Sequence, residues 1–159
     1  MSIFYAFGLY LLFEGEYQIG AQTMEEGEGA RMTVQALALT GGVGVAGALG
    51  ALARYLLGRW VARRVRSVFP YGTFIINLTG AFLMGILFAL ADQKVIIQPL
   101  QILLATGFLG GYTTFSTMSW EGVQLMRSGG SRPGLLYITA SLVLGLVAAA
   151  AGLALGRWL

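Results

Sequence analysis

The chain has no cysteine and no histidine among its 159 residues. That removes disulfides, thiolate nucleophiles, imidazole bases and the usual zinc ligands, and with them most enzyme chemistry. Charge is scarce as well, at 11% of positions. Of the seven acids, Glu14, Glu16, Glu25, Glu26 and Glu28 all precede residue 32, so only Asp92 and Glu121 remain in the body of the chain. What fills the space instead is apolar: 57% of residues are hydrophobic and mean hydropathy is +0.74, too apolar for a water-soluble domain of this size. No segment repeats the alternation of polar and apolar residues that a membrane barrel needs, so the apolar runs are expected to be helices.

A helical crossing of the bilayer takes about 20 mainly apolar residues. Four stretches meet that requirement, near residues 33–58, 72–91, 99–126 and 134–156. They predict an all-α integral membrane protein whose residues 32–159 form one four-span domain. Residues 1–31 read as an N-terminal extension. Its apolar run from Ile3 to Phe13 is too short to span and lacks the positive start of a secretory signal. Met24 and Met32 both precede the first span, and a start at Met32 would raise the net charge from +3 to +7.

Arg59, Arg63, Arg64 and Arg66 between spans one and two, with Arg127 and Arg132 between spans three and four, fall on one side of the membrane; Arg31, Lys94 and Arg157 fall on the other. The bias places the first side in the cytoplasm and the chain in the cytoplasmic (inner) cell membrane. It reads as topology, with no nucleic-acid partner.

Small and polar residues inside the spans recur every four positions. Gly42, Ala46, Gly50 and Arg54 share one face of the first span, and Thr73, Asn77, Ala81 and Gly85 one face of the second. Small residues on such faces let a neighbouring backbone approach closely. GVGVAG at 42–47 matches a dinucleotide fingerprint only formally, since no strand precedes it and arginines follow it. Arg54 reads either as a snorkelling anchor or as a ligand, and Asn77 either as a helix-to-helix hydrogen bond or as a donor to a passing solute. In the fourth span Tyr137 and Ser141 lie four apart on one face.

The third span is the anomaly. Gly110 and Gly111 are followed by Tyr112, Thr113, Thr114, Phe115, Ser116 and Thr117, too polar to face lipid. This predicts a helix broken near its middle, since irregular backbone at membrane depth survives only where protein or water covers it. Thr113, Thr117 and Glu121 are then expected on one helical face, a hydroxyl track ending in a carboxylate, with Ser116 and Trp120 beside it; Phe115 and Met118 lie three apart.

GGVGVAGALGALARY (41–55), YGTFIINLTGAFLMG (71–85), GFLGGYTTFSTMSWE (107–121) and YITAS (137–141) together resemble the Fluc (CrcB) family of fluoride channels. The resemblance implies small four-span subunits assembled as an antiparallel, dual-topology dimer, with a structural sodium ion at the centre. By that resemblance the backbone carbonyls of Gly110 and Thr113 hold the sodium, and Arg54 stands at the vestibule. Asn77, Phe115, Met118, Ser116, Thr117, Tyr137 and Ser141 line the fluoride pathway, and Glu121 is a further candidate at its end. Met118 departs from the family, which commonly has a second phenylalanine there. The implied function is fluoride export that lowers its intracellular concentration. Six basic residues against three are unbalanced for a homodimer that inserts both ways, so an oppositely oriented paralogue is a second candidate partner besides a second copy. A proton-coupled drug transporter would need an acid in its first span, which has none.

Overall fold

The computed structural model describes residues 26–159, with side chains from Val34 onward. Expectations for residues 1–25 lie outside the described residues. Helix α1 (Glu26–Arg64) runs for 39 residues, about 58 Å at 1.5 Å per residue, well beyond the thickness of a bilayer core. It begins ahead of the predicted first span and continues past it to Arg63 and Arg64, whose charge suits a helix C-terminus. Helix α2 (Tyr71–Asp92) starts directly after Pro70, which lacks the N–H that a helix start leaves unpaired. Helix α3 (Gln98–Gln101) continues through a π-helical stretch (Ile102–Leu109) into α4 (Gly110–Tyr112). Helix α5 covers Phe115–Gly129 and α6 covers Ser131–Gly156.

Three of these, over Val34–Arg64, Tyr71–Asp92 and Ser131–Gly156, are individually long and apolar enough to cross a membrane. The predicted span at 99–126 is divided instead. Thr113 (ψ 160°) and Thr114 (φ −149°, ψ 120°) are extended and separate α4 from α5. Two successive β-branched residues whose hydroxyls compete for backbone partners favour such an interruption. The paired glycines lie just ahead of it, still helical.

The glycines serve packing. A Cβ on Gly50 would strike the Phe108 carbonyl, and one on Gly111 would strike the Gly47 carbonyl, so α1 meets the π-stretch and α4 at backbone contact. The same holds for α2 against α6, where Gly85 faces the Ala149 carbonyl and Gly152 the Phe82 carbonyl. Helix α5 lies on α6, and Gly134 abuts the Gly122 carbonyl there. The face predicted at Gly42, Ala46, Gly50 and Arg54 is thus the one α1 turns toward Leu103, Gly107, Phe108 and Thr113. The rest of α1 is uncovered: only 6% of its apolar window is buried within the chain.

Candidate functional site

The site is built around the two extended residues. Breaking a helix strands carbonyls on one side and N–H groups on the other. Thr113 N–H still donates to the Leu109 carbonyl at 2.9 Å. Thr114 N–H, which would otherwise reach Gly110, donates to Asn77 Oδ1 at 2.9 Å, while Asn77 Nδ2 donates to the Thr114 carbonyl at 2.9 Å. The Asn77 amide therefore replaces a whole missing peptide partner. Arg54 Nη1 donates to the Thr113 carbonyl at 3.3 Å. Thr114 Oγ1 caps α5 by accepting from Thr117 N–H at 3.2 Å and donates to Thr117 Oγ1 at 3.0 Å. Among the described residues, no main-chain donor reaches the Gly110 carbonyl from beyond the helix end.

A second polar cluster lies one turn further along α5. Glu121 Oε1 accepts from Thr73 Oγ1 at 2.9 Å and Oε2 from Tyr137 Oη at 2.8 Å. Thr73 comes from α2 and Tyr137 from α6, so one carboxylate ties three helices together. Tyr137 is fully buried, packed with Met118 and Leu125, and Phe69 meets its ring edge-on at 5.3 Å. A cavity of about 530 Å³ connects the two clusters, with Arg54, Arg59, Thr114, Thr117 and Glu121 in its wall.

The arrangement modifies several expectations. Thr113 is outside any helix, so the track on α5 consists of Thr117 and Glu121, joined by Thr73 rather than by Thr113. Phe115 and Met118 diverge within the single chain: Phe115 is 39% exposed and Met118 only 4%. Ser116 and Thr117 are exposed beside Phe115. Ser141 is buried and gives its proton to the Tyr137 carbonyl at 2.7 Å. Tyr137 gives its own to Glu121. Donors with protons not yet committed include the second N–H of Asn77 and the hydroxyl of Thr117, which accepts from Thr114, while the Ser116 hydroxyl has only a 3.4 Å contact with Thr114 Oγ1.

Thr114 was not singled out by sequence reading, yet it takes the Asn77 pair and caps α5. Its signal was present as a threonine directly before a helix start. The Tyr112 hydroxyl, 2.8 Å from Thr79 Oγ1, fastens α4 to α2 in the same way.

A helical membrane protein with an interrupted helix clamped by an intramembrane amide is the class defined by this fold and site. Comparison with known proteins narrows it. The family model described as CrcB-like protein, camphor resistance (CrcB), matches residues 42–153. Proteins named fluoride-specific ion channel FluC are similar over most of their length. That of Chloroflexus aurantiacus is 43% identical over 73% of this chain and 93% of its own. That of Rhizobium meliloti is 46% identical over 72% and 93%, and that of Hahella chejuensis 47% identical over 72% and 91%. The chain belongs to the CrcB-like family.

Proposed function

We propose that this chain is a fluoride-selective channel that lets fluoride leave the cell across the cytoplasmic membrane. The observation that carries the reading is the extended Thr113–Thr114 segment, held by Asn77 beside a run of neutral hydroxyl donors, in a chain whose relatives are named fluoride-specific channels. It is a conduit and not an enzyme.

Helix pieces on either side of Thr113–Thr114 act as halves of one crossing, which makes four spans in all. Fluoride is small and strongly hydrated, so a pore must replace its water with donors that bind without trapping. An amide N–H and threonine or serine hydroxyls suit that need better than fixed positive charge, because the ion must also leave. Asn77, Phe115, Ser116 and Thr117 form the wall where those donors sit. Met118, Tyr137 and Ser141 stand behind it: Tyr137 and Ser141 keep their protons on Glu121 and on backbone, ready to exchange partners with an anion. Arg54, in the wall of the cavity, supplies the positive field at its mouth.

The donor set fits a bound sodium ion. Hard cations take oxygen ligands, and the Gly110 carbonyl lacks its helical donor while the Thr113 carbonyl sits on extended backbone with only the 3.3 Å Arg54 contact. Those two carbonyls, duplicated in an antiparallel partner, would hold it, and the bound cation would offset repulsion between anions. The partner is a second copy or an oppositely oriented paralogue.

The test is flux. Vesicles loaded with equal fluoride and chloride and reconstituted with this chain alone are expected to release fluoride and retain chloride. Release of both ions overturns the proposal, and release of neither overturns the homodimer. Fluoride release without any partner chain also selects the homodimer.

A further inference from the structure

The C-terminal half of α1 carries a feature that shares only Arg59 with the cavity described above. Val45, Leu49, Leu52 and Leu56 are each more than half exposed on α1, at steps of four, three and four, so they form one continuous stripe. Trp60, 54% exposed, extends it by one more turn, and Arg59 and Arg63 flank its end. Leu56, Arg59, Trp60 and Arg63 line a recess of about 330 Å³. Arg64 lies over the Trp60 ring at 5.1 Å, and Arg59 donates to the Tyr55 hydroxyl at 3.1 Å. These contacts fix the aromatic rings at the helix end and leave most guanidinium N–H groups free, since each arginine has five.

From this geometry we infer that the C-terminal end of α1 is a binding site for an anionic phospholipid: an acyl chain lies along Val45 to Leu56, and the phosphate meets Arg59 and Arg63 beside Trp60. The stripe from Val45 to Trp60 spans about 22 Å at 1.5 Å per residue, comparable to one leaflet of a bilayer. Tryptophan and arginine stand at its end, at the level where headgroups sit. Charge selects the lipid class. No acid occurs between Glu28 and Asp92, so Arg59, Arg63, Arg64 and Arg66 have no local counter-charge in sequence. A zwitterionic lipid would add its own cation to this cluster, with nothing there to pair it; an anionic lipid adds none. A second copy of the chain is a poorer match. Past residue 28 it offers only Asp92 and Glu121, and Glu121 already accepts two hydrogen bonds within its own subunit.

Arg59 also stands in the wall of the larger cavity, so the lipid contact is read without ion flux, with Trp60 as its reporter. In the full chain with Trp120→Phe and Trp158→Phe, Trp60 is the remaining tryptophan. Its fluorescence is measured in vesicles doped with brominated phosphatidylglycerol or with brominated phosphatidylcholine. A basic residue near an anionic surface contributes on the order of fivefold in partitioning, so the anionic lipid is expected to quench at about a fivefold lower mole fraction than the zwitterionic one. Arg59→Gln with Arg63→Gln is expected to bring the two curves together. Equal quenching by both lipids with the arginines in place overturns the inference, as does quenching by neither, which would mean that a second copy covers the stripe. The comparison with the arginines intact stands even where the double variant fails to fold.

Discussion

At the scale of single residues, Asn77 carries the most weight. Its amide holds both the N–H and the C=O of Thr114, two backbone groups that no other residue of the break satisfies. Leaving a buried polar group unpaired costs about 1–3 kcal/mol, so Asn77→Ala is expected to lower thermal stability in detergent by that order and to abolish fluoride flux; an unchanged melting temperature would show that the clamp is unimportant. Phe115 is the opposite case. Its ring is partly exposed and pairs with no aromatic ring among the described residues, so its removal should leave the fold alone. Phe115→Ile is expected to cut fluoride flux sharply while elution on a sizing column stays the same, and undiminished flux would remove the ring from the pathway. Met118 belongs with the buried side chains around Tyr137; in the single chain it supports the hydroxyl and does not pair with Phe115.

At the scale of elements, backbone contact between helices decides what can change. Gly111 touches the Gly47 carbonyl through space that a methyl group would need, whereas Gly44 on the same α1 faces open space. Gly111→Ala is therefore expected to drive α1 away from α4, with loss of monodisperse protein after extraction. Gly44→Ala is expected to be neutral or stabilising by about 0.5–1 kcal/mol, since glycine is a poor residue inside a helix. The reverse ranking in a thermal-stability measurement would contradict the packing described. The interruption at Thr113–Thr114 has a different cause from the glycines: two threonines leave the helix because Asn77, Arg54 and the Thr114 cap supply the partners that helix continuation would have supplied.

For the whole molecule, orientation is the open quantity that the sequence makes measurable. The chain has no cysteine, so Ser128→Cys, at an exposed position near the end of α5, introduces a single thiol. If the chain inserts in both orientations, an impermeant thiol reagent applied to intact cells is expected to label about half of it, with the remainder labelled after permeabilisation. All-or-none labelling would mean a fixed orientation, and with it a need for an oppositely oriented partner. The low burial of α1 within one subunit, 6% of its apolar window, means that lipid or another subunit covers most of it.

Composition and spacing by themselves determined that the chain is helical and made for a bilayer, because hydropathy and a four-residue period are local properties of a sequence. They also placed Gly42, Ala46, Gly50 and Arg54 on one face and marked residues 110–121 as too polar for lipid. Which atoms satisfy the interruption was decided only in three dimensions. Asn77 lies 37 residues from Thr114, and Thr73 lies 48 from Glu121; no period in the sequence relates them. The break falls at the threonines and not at the glycines for the same reason: a glycine pair that looks like a breaker in one dimension is, once α1 is in place, the surface that allows two backbones to touch.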